Sequence, residues 1–233
     1  LLYYITNIIN AIGLALSVWL GFYLVTHSPR SKIAWLTSLT LWSVAGLYLN
    51  ILLALNPPPI PENAPSWIFL FFPFWPHEAL ISGWPEWLQG WLVIPAIAFW
   101  HHVTIVMRPG RMTNWRLARV LLGYAVSLAA IYVMVNTPLM FSSVSGDPLF
   151  LTTLKPGQLY PVFLLVLLAF VCMSLINLIR SARSASNQLL RKQLAILSSA
   201  TLIAGLVVPI SFISFSLQIA FPRVTQSILL ACA

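Results

Sequence analysis

"FWHHVTIVMRPGR", residues 99–111, places two adjacent histidines inside an apolar run and then breaks that run with Arg-Pro-Gly-Arg. Upstream the chain stays apolar back to residue 87. Residues 87–107 therefore have the length and polarity of one membrane crossing, which takes about 20 mostly apolar residues. The arginines, the proline and the glycine together form a stop signal, because proline cannot continue a helix and glycine suits the turn after one. Outside this stretch the pattern repeats. Apolar runs at 3–25, 33–55, 117–135, 160–179 and 194–220 qualify in the same way, and another begins near 225.

The composition agrees. The chain has 233 residues, 60% hydrophobic and 7% charged. Soluble domains carry about 25% charged residues, so this chain could not cover itself with a water-facing surface. The expected fold class is all-α: a polytopic membrane helical bundle of six complete transmembrane helices plus the start of a seventh. Residues 1–233 form one membrane-embedded domain. The apolar end "SILLACA" predicts continuation beyond residue 233. Cys172 and Cys232 have no C-x-x-C spacing, so no disulfide framework or zinc site is expected.

Charge sets the expected orientation. Arg30 and Lys32 follow the first run; Arg108, Arg111, Arg116 and Arg119 follow the third; Arg180, Arg183, Arg191 and Lys192 follow the fifth. These cytoplasmic-side anchors are ten of the twelve Lys and Arg residues. All four acids, Glu62, Glu78, Glu86 and Asp147, fall in the alternate loops with Lys155, and Arg223 follows the sixth run. Basic loops stay in the cytoplasm. The N-terminus is therefore expected outside, and the C-terminus in the cytoplasm after a seventh helix. The net charge of +8 is spread over loops, so it reads as topology and not as a nucleic-acid surface.

The first outer loop, 56–86, is rich in proline and aromatics. It is too short and too Pro-broken to span, so it reads as an aromatic belt or as a cap over an outward-facing pocket. Its Trp67, Trp75, His77 and Trp84, with Trp87 beyond it and Asn7, Asn10 and Asn50 on the first two runs, form the candidate ligand pocket for a small molecule or lipid. Intramembrane amides also serve as glue between helices. Pro95 and Pro209 lie within runs and are candidate hinges or fixed bends.

Residues 101 and 102 lie about 10 Å from the arginine end at 1.5 Å per residue. Consecutive helical side chains diverge by about 100°, so the two histidines cannot share one haem. A proton relay lacks intramembrane carboxylates. The reading that remains gives one histidine a hydrogen-bonded packing role and makes the other a cap on the helix's negative end. No lysine sits inside a run for retinal, and no nucleotide-binding or hydrolase motif occurs. No catalytic residue, cofactor or metal ligand is expected.

"HSPRSKIAWLTSLTLWSVAGLYLN", "WLVIPAIAFWHHVTIVMRPGR" and "LLRKQLAILSSATLIAGLVVPI" are similar to the first-to-second, third and sixth helices of a known family. On them the chain resembles the seven-transmembrane N-terminal sensor region of bacterial histidine kinases. The resemblance extends over nearly the whole chain. It departs in the long aromatic loop and in a seventh helix cut at residue 233. The resemblance implies a sensory, signal-transducing module of a two-component system in the bacterial cytoplasmic membrane. Such a module passes an extracytoplasmic or intramembrane stimulus to a cytoplasmic output domain, expected after residue 233, which the resemblance implies is a histidine kinase working as a homodimer. The alternative is an accessory structural subunit of a respiratory or photosynthetic complex, whose partners would be other membrane subunits. The lipid bilayer is a partner under either reading.

Overall fold

The computed structural model describes residues 1–55, 92–108, 110, 112–137, 139–144, 154–185, 187–216, 225 and 228. Among these described residues six helices run in chain order: α1 (Leu2–His27), α2 (Lys32–Leu55), α3 (Val93–Val106), α4 (Asn114–Asn136), α5 (Tyr160–Ser184) and α6 (Gln188–Ser216). A short antiparallel pair, β1 (Phe141–Val144) and β2 (Leu154–Pro156), lies between α4 and α5. The all-α bundle expected from the sequence is present; its count of spans is corrected. Among the described residues, four helices are long and apolar enough to cross a membrane: Tyr3–His27, Asn114–Met134, Tyr160–Ser184 and Gln188–Val207. At 14 residues, α3 rises only about 21 Å, short of the roughly 30 Å hydrocarbon core. The expected seventh helix falls, apart from residues 225 and 228, outside the described residues, as does loop 56–86.

Local chemistry starts several helices. The Thr113 hydroxyl accepts from the Arg116 amide at α4, the Ser31 hydroxyl from the Ala34 amide at α2, and Asn187 Oδ1 from the Leu189 amide at α6. Each supplies an acceptor to an amide that the helix itself leaves unpaired. Pro161 occupies the first turn of α5, where its missing N–H costs nothing.

Packing then fixes the layout. α1 and α2 form a hairpin in which glycines receive aromatic rings. A Cβ on Gly13 would meet the Tyr48 ring at 2.6 Å, and one on Gly21 would overlap the Trp42 indole. The Ser38 hydroxyl donates to the Gly21 carbonyl across this seam at 2.8 Å. Small residues allow such approach where the lipid supplies no hydrophobic drive between helices. Further along, Gly46 of α2 lies against Leu92 at the start of α3. A core of Val93, Ile94, Met134, Met140, Tyr160, Phe163 and Leu167 joins the start of α3, the end of α4 and the start of α5.

The Arg-Pro-Gly-Arg stop works through two features. Gly110 has φ +98°, a left-handed conformation that favours glycine. Arg116 Nη1 donates to the Arg108 carbonyl at 3.1 Å, so a cation from α4 sits on the negative end of α3. The expected histidine cap is thus corrected: both rings point into the bundle, and the arginine holds the carbonyl end. Arg116→Ala is expected to lower stability by about 1 kcal/mol, with Arg116→Lys recovering part of it. Thermal unfolding of the purified variants checks this; an unchanged Arg116→Ala melting curve would remove the cap from the account.

Candidate functional site

Four residues near the end of α3 reach three different helices. Trp100 Nε1 donates to Thr201 Oγ1 of α6 at 3.2 Å. His101 Nδ1 lies 3.2 Å from Ser174 Oγ of α5, and His102 Nδ1 lies 2.9 Å from the Tyr124 hydroxyl of α4. Asn177 Nδ2 of α5 donates to Thr104 Oγ1 at 3.3 Å. The 100° step between successive helical residues makes this fan possible. A hydroxyl both donates and accepts, so each histidine pair is satisfied in either ring tautomer.

The α5 side of the contact is a polar stripe. Ser174, Asn177 and Ser181 follow an i, i+3, i+7 spacing, which keeps them on one face. His101, Thr104, Ser174, Asn177 and Ser181 are all at most 2% exposed. The stripe is closed by backbone acceptors: Thr104 Oγ1 donates to the His101 carbonyl and Ser181 Oγ to the Asn177 carbonyl. The polar groups thus find partners within the bundle, as groups withdrawn from water must. The edge of the His101 ring meets Phe170 at 5.3 Å between centroids and 79° between planes, and the close approach of α4 relies on Gly123. A Cβ there would lie 3.3 Å from Phe170 and 3.7 Å from His101. Beside this contact, between α3, α4 and α5, runs an apolar crevice past Ile97, Ser127 and Phe163. Its free volume is about 10 Å³, the room of one water molecule.

The arrangement binds helices together. His101 and His102 address α5 and α4 respectively, so no single group can lie between them. No cluster of three His, Cys, Asp or Glu side chains occurs among the described residues. The Ser174–His101 pair has the atoms of a nucleophile and a base. It is sealed from solvent, however, and shows no orienting carboxylate among the described residues.

The residues expected to form a ligand pocket are only partly within view. Asn10 is fully buried, and its amide donates to the Thr6 carbonyl of its own helix at 2.7 Å. Asn7 is half-buried on the same helix. Asn50 belongs to α2, but its side chain lies outside the described residues, as do Trp67, Trp75, His77, Trp84 and Trp87 in their entirety. Pro95 is the third residue of α3, a first-turn position that tolerates proline. α6 continues through Pro209 to Ser216. Of the basic anchors, Arg30, Lys32, Arg180, Arg183, Arg191 and Lys192 are exposed. Arg108, Arg116 and Arg119 are half-buried around the α3–α4 turn, and Arg111 lies outside the described residues.

Sequence reasoning missed Trp100, Thr104, Tyr124, Ser174, Asn177, Ser181 and Thr201. One signal was available: three small polar residues at helical spacing on the otherwise apolar α5. No family model, curated protein or solved structure matches the chain.

Proposed function

We propose that this chain is a membrane-embedded signal-transduction module. It passes a stimulus from the extracytoplasmic side, or from within the bilayer, to a cytoplasmic output domain of the histidine-kinase type. One observation carries the reading: α3 is hydrogen-bonded at successive residues to α4, α5 and α6. A displacement of α3 therefore strains all three neighbours together, which is the mechanical property a transmitting bundle requires. A stimulus drives such a device only by favouring one of two arrangements over the other. In this proposal the N-terminus lies outside and the C-terminus reaches the cytoplasm of a bacterial cell. The basic turns face inward there, and the working unit is a homodimer.

The test uses the full-length protein reconstituted in vesicles with labelled ATP. Histidine phosphorylation that changes on disruption of the Trp100–Thr201 bond by Thr201→Val is the expected result. A full-length chain with no ATP-dependent phosphorylation and no output domain would overturn the kinase reading.

A further inference from the structure

The basic turns gather at one pole of the bundle. His101 sits beside Ser174 and Thr104 beside Asn177, so α3 and α5 run parallel and end at the same pole. The short turns into α4 and α6 begin there too. Gly46 of α2 meets Leu92 before α3, which leaves the start of α2, with Arg30 and Lys32, at that same pole. The four acids occur in segments 56–91 and 145–153, outside the described residues, and the turns 28–31, 107–113 and 185–187 contain none. The basic pole therefore has no carboxylates in its own turns.

Within this pole the α5–α6 corner is distinctive. Arg180 and Arg183 lie at the end of α5, and Arg191 and Lys192 near the start of α6. The two helices are separated by residues 185–187 alone. All four cations are exposed. Among the described residues, none of the four side chains has an ion pair or a hydrogen bond. Tryptophans in helix turns at the same pole mark the level of the membrane surface. Trp115, in the first turn of α4, is 73% exposed. Trp35, in the first turn of α2, is exposed and donates its indole N–H to the Pro29 carbonyl at 2.8 Å. Exposed tryptophan on a membrane helix settles among headgroups, so the first and last turns at this pole lie at headgroup level. At that depth, four cations with no partner among the described residues are at the level where lipid phosphates lie.

We infer that the α5–α6 corner, through Arg180, Arg183, Arg191 and Lys192, is a binding surface for anionic phospholipid headgroups. Arginine forks two N–H groups onto phosphate oxygens, and lysine adds a point charge. The corner thereby gathers anionic lipid against the two helices that carry the polar stripe and the Trp100 acceptor. This reading is independent of what the chain transmits.

Native mass spectrometry of the purified full-length protein, equilibrated with phosphatidylglycerol and phosphatidylcholine in equal amounts, tests it. Preferential retention of phosphatidylglycerol is expected. Replacing the four cations together (R180Q, R183Q, R191Q and K192Q) is expected to lower that retention at least roughly tenfold, given about 1 kcal/mol per cation near a charged surface. Equal retention of the two lipids, or a quadruple variant that holds phosphatidylglycerol like its parent, would overturn the proposal. The parent protein supplies a second reading if the variant does not fold. Raising salt from about 0.1 M to about 1 M shortens the screening length from roughly 10 Å to roughly 3 Å and should release the lipid. Salt-independent retention, or displacement by millimolar inorganic phosphate, would also overturn it, the latter by revealing a small-anion site.

Discussion

His101→Ala is expected to lower the unfolding free energy of the bundle by about 2–4 kcal/mol, the range for emptying a buried site and orphaning its partner. The ring is 2% exposed, touches Phe170 edge-on and lies 3.2 Å from the equally buried Ser174 hydroxyl. Removing it opens a void between α3 and α5. Ser174→Ala is expected to cost less, about 1 kcal/mol, in line with single interhelical hydrogen bonds in membranes. The double variant should then fall short of the sum by about 0.5–1.5 kcal/mol, because both changes remove the same bond. Detergent-driven unfolding of the four proteins measures the cycle. Costs that add within error would show that the two side chains do not interact, and the α3–α5 contact would lose its central bond.

The second large effect concerns the other half of the molecule. Gly13→Leu is expected to destabilise the α1–α2 hairpin by about 3 kcal/mol, the upper range for overpacking. Three atoms of the Tyr48 ring lie 2.6–2.8 Å from where a Cβ would be built. Tyr48 is 3% exposed, so its ring has little room to retreat. Tyr48→Ala alone should cost a similar amount through the cavity it leaves. Combined with Gly13→Leu it should cost markedly less than the sum, because the leucine fills part of the vacated space. A Gly13→Leu protein as stable as its parent would mean that the two helices do not pack at this glycine.

Much of this molecule was legible in its sequence, for reasons that can be traced residue by residue. Apolar runs of membrane length follow from the cost of leaving backbone polar groups unpaired in lipid, which forces helices. The break at Arg108 to Arg111 reads correctly as the end of α3, because proline and glycine have the same backbone limits in any context. The gathering of basic residues into alternate turns was also visible, and the parallel course of α3 and α5 places those turns at one pole.

What stayed hidden was partnership. From the sequence, His101 and His102 are two imidazoles about 100° apart on one helix, and nothing local says what either meets. The expectation that one would cap its helix failed because Arg116, eight residues beyond Arg108, reaches the carbonyl end instead. The span count failed similarly. Residues 87–107 have the composition of a crossing, while the helix described there is Val93–Val106, and residues 87–91 lie outside the described residues.

The sequence by itself therefore determined the solvent, the helical class and the separation of charge, since each depends on the residue's own transfer energy or backbone freedom. Only the tertiary structure decided that Trp100, His101, His102 and Thr104 join α3 to α4, α5 and α6. Those hydrogen bonds link residues 22 to 101 positions apart in the chain. Their existence depends on which helix faces are brought together, a property of the packed bundle that no single segment contains.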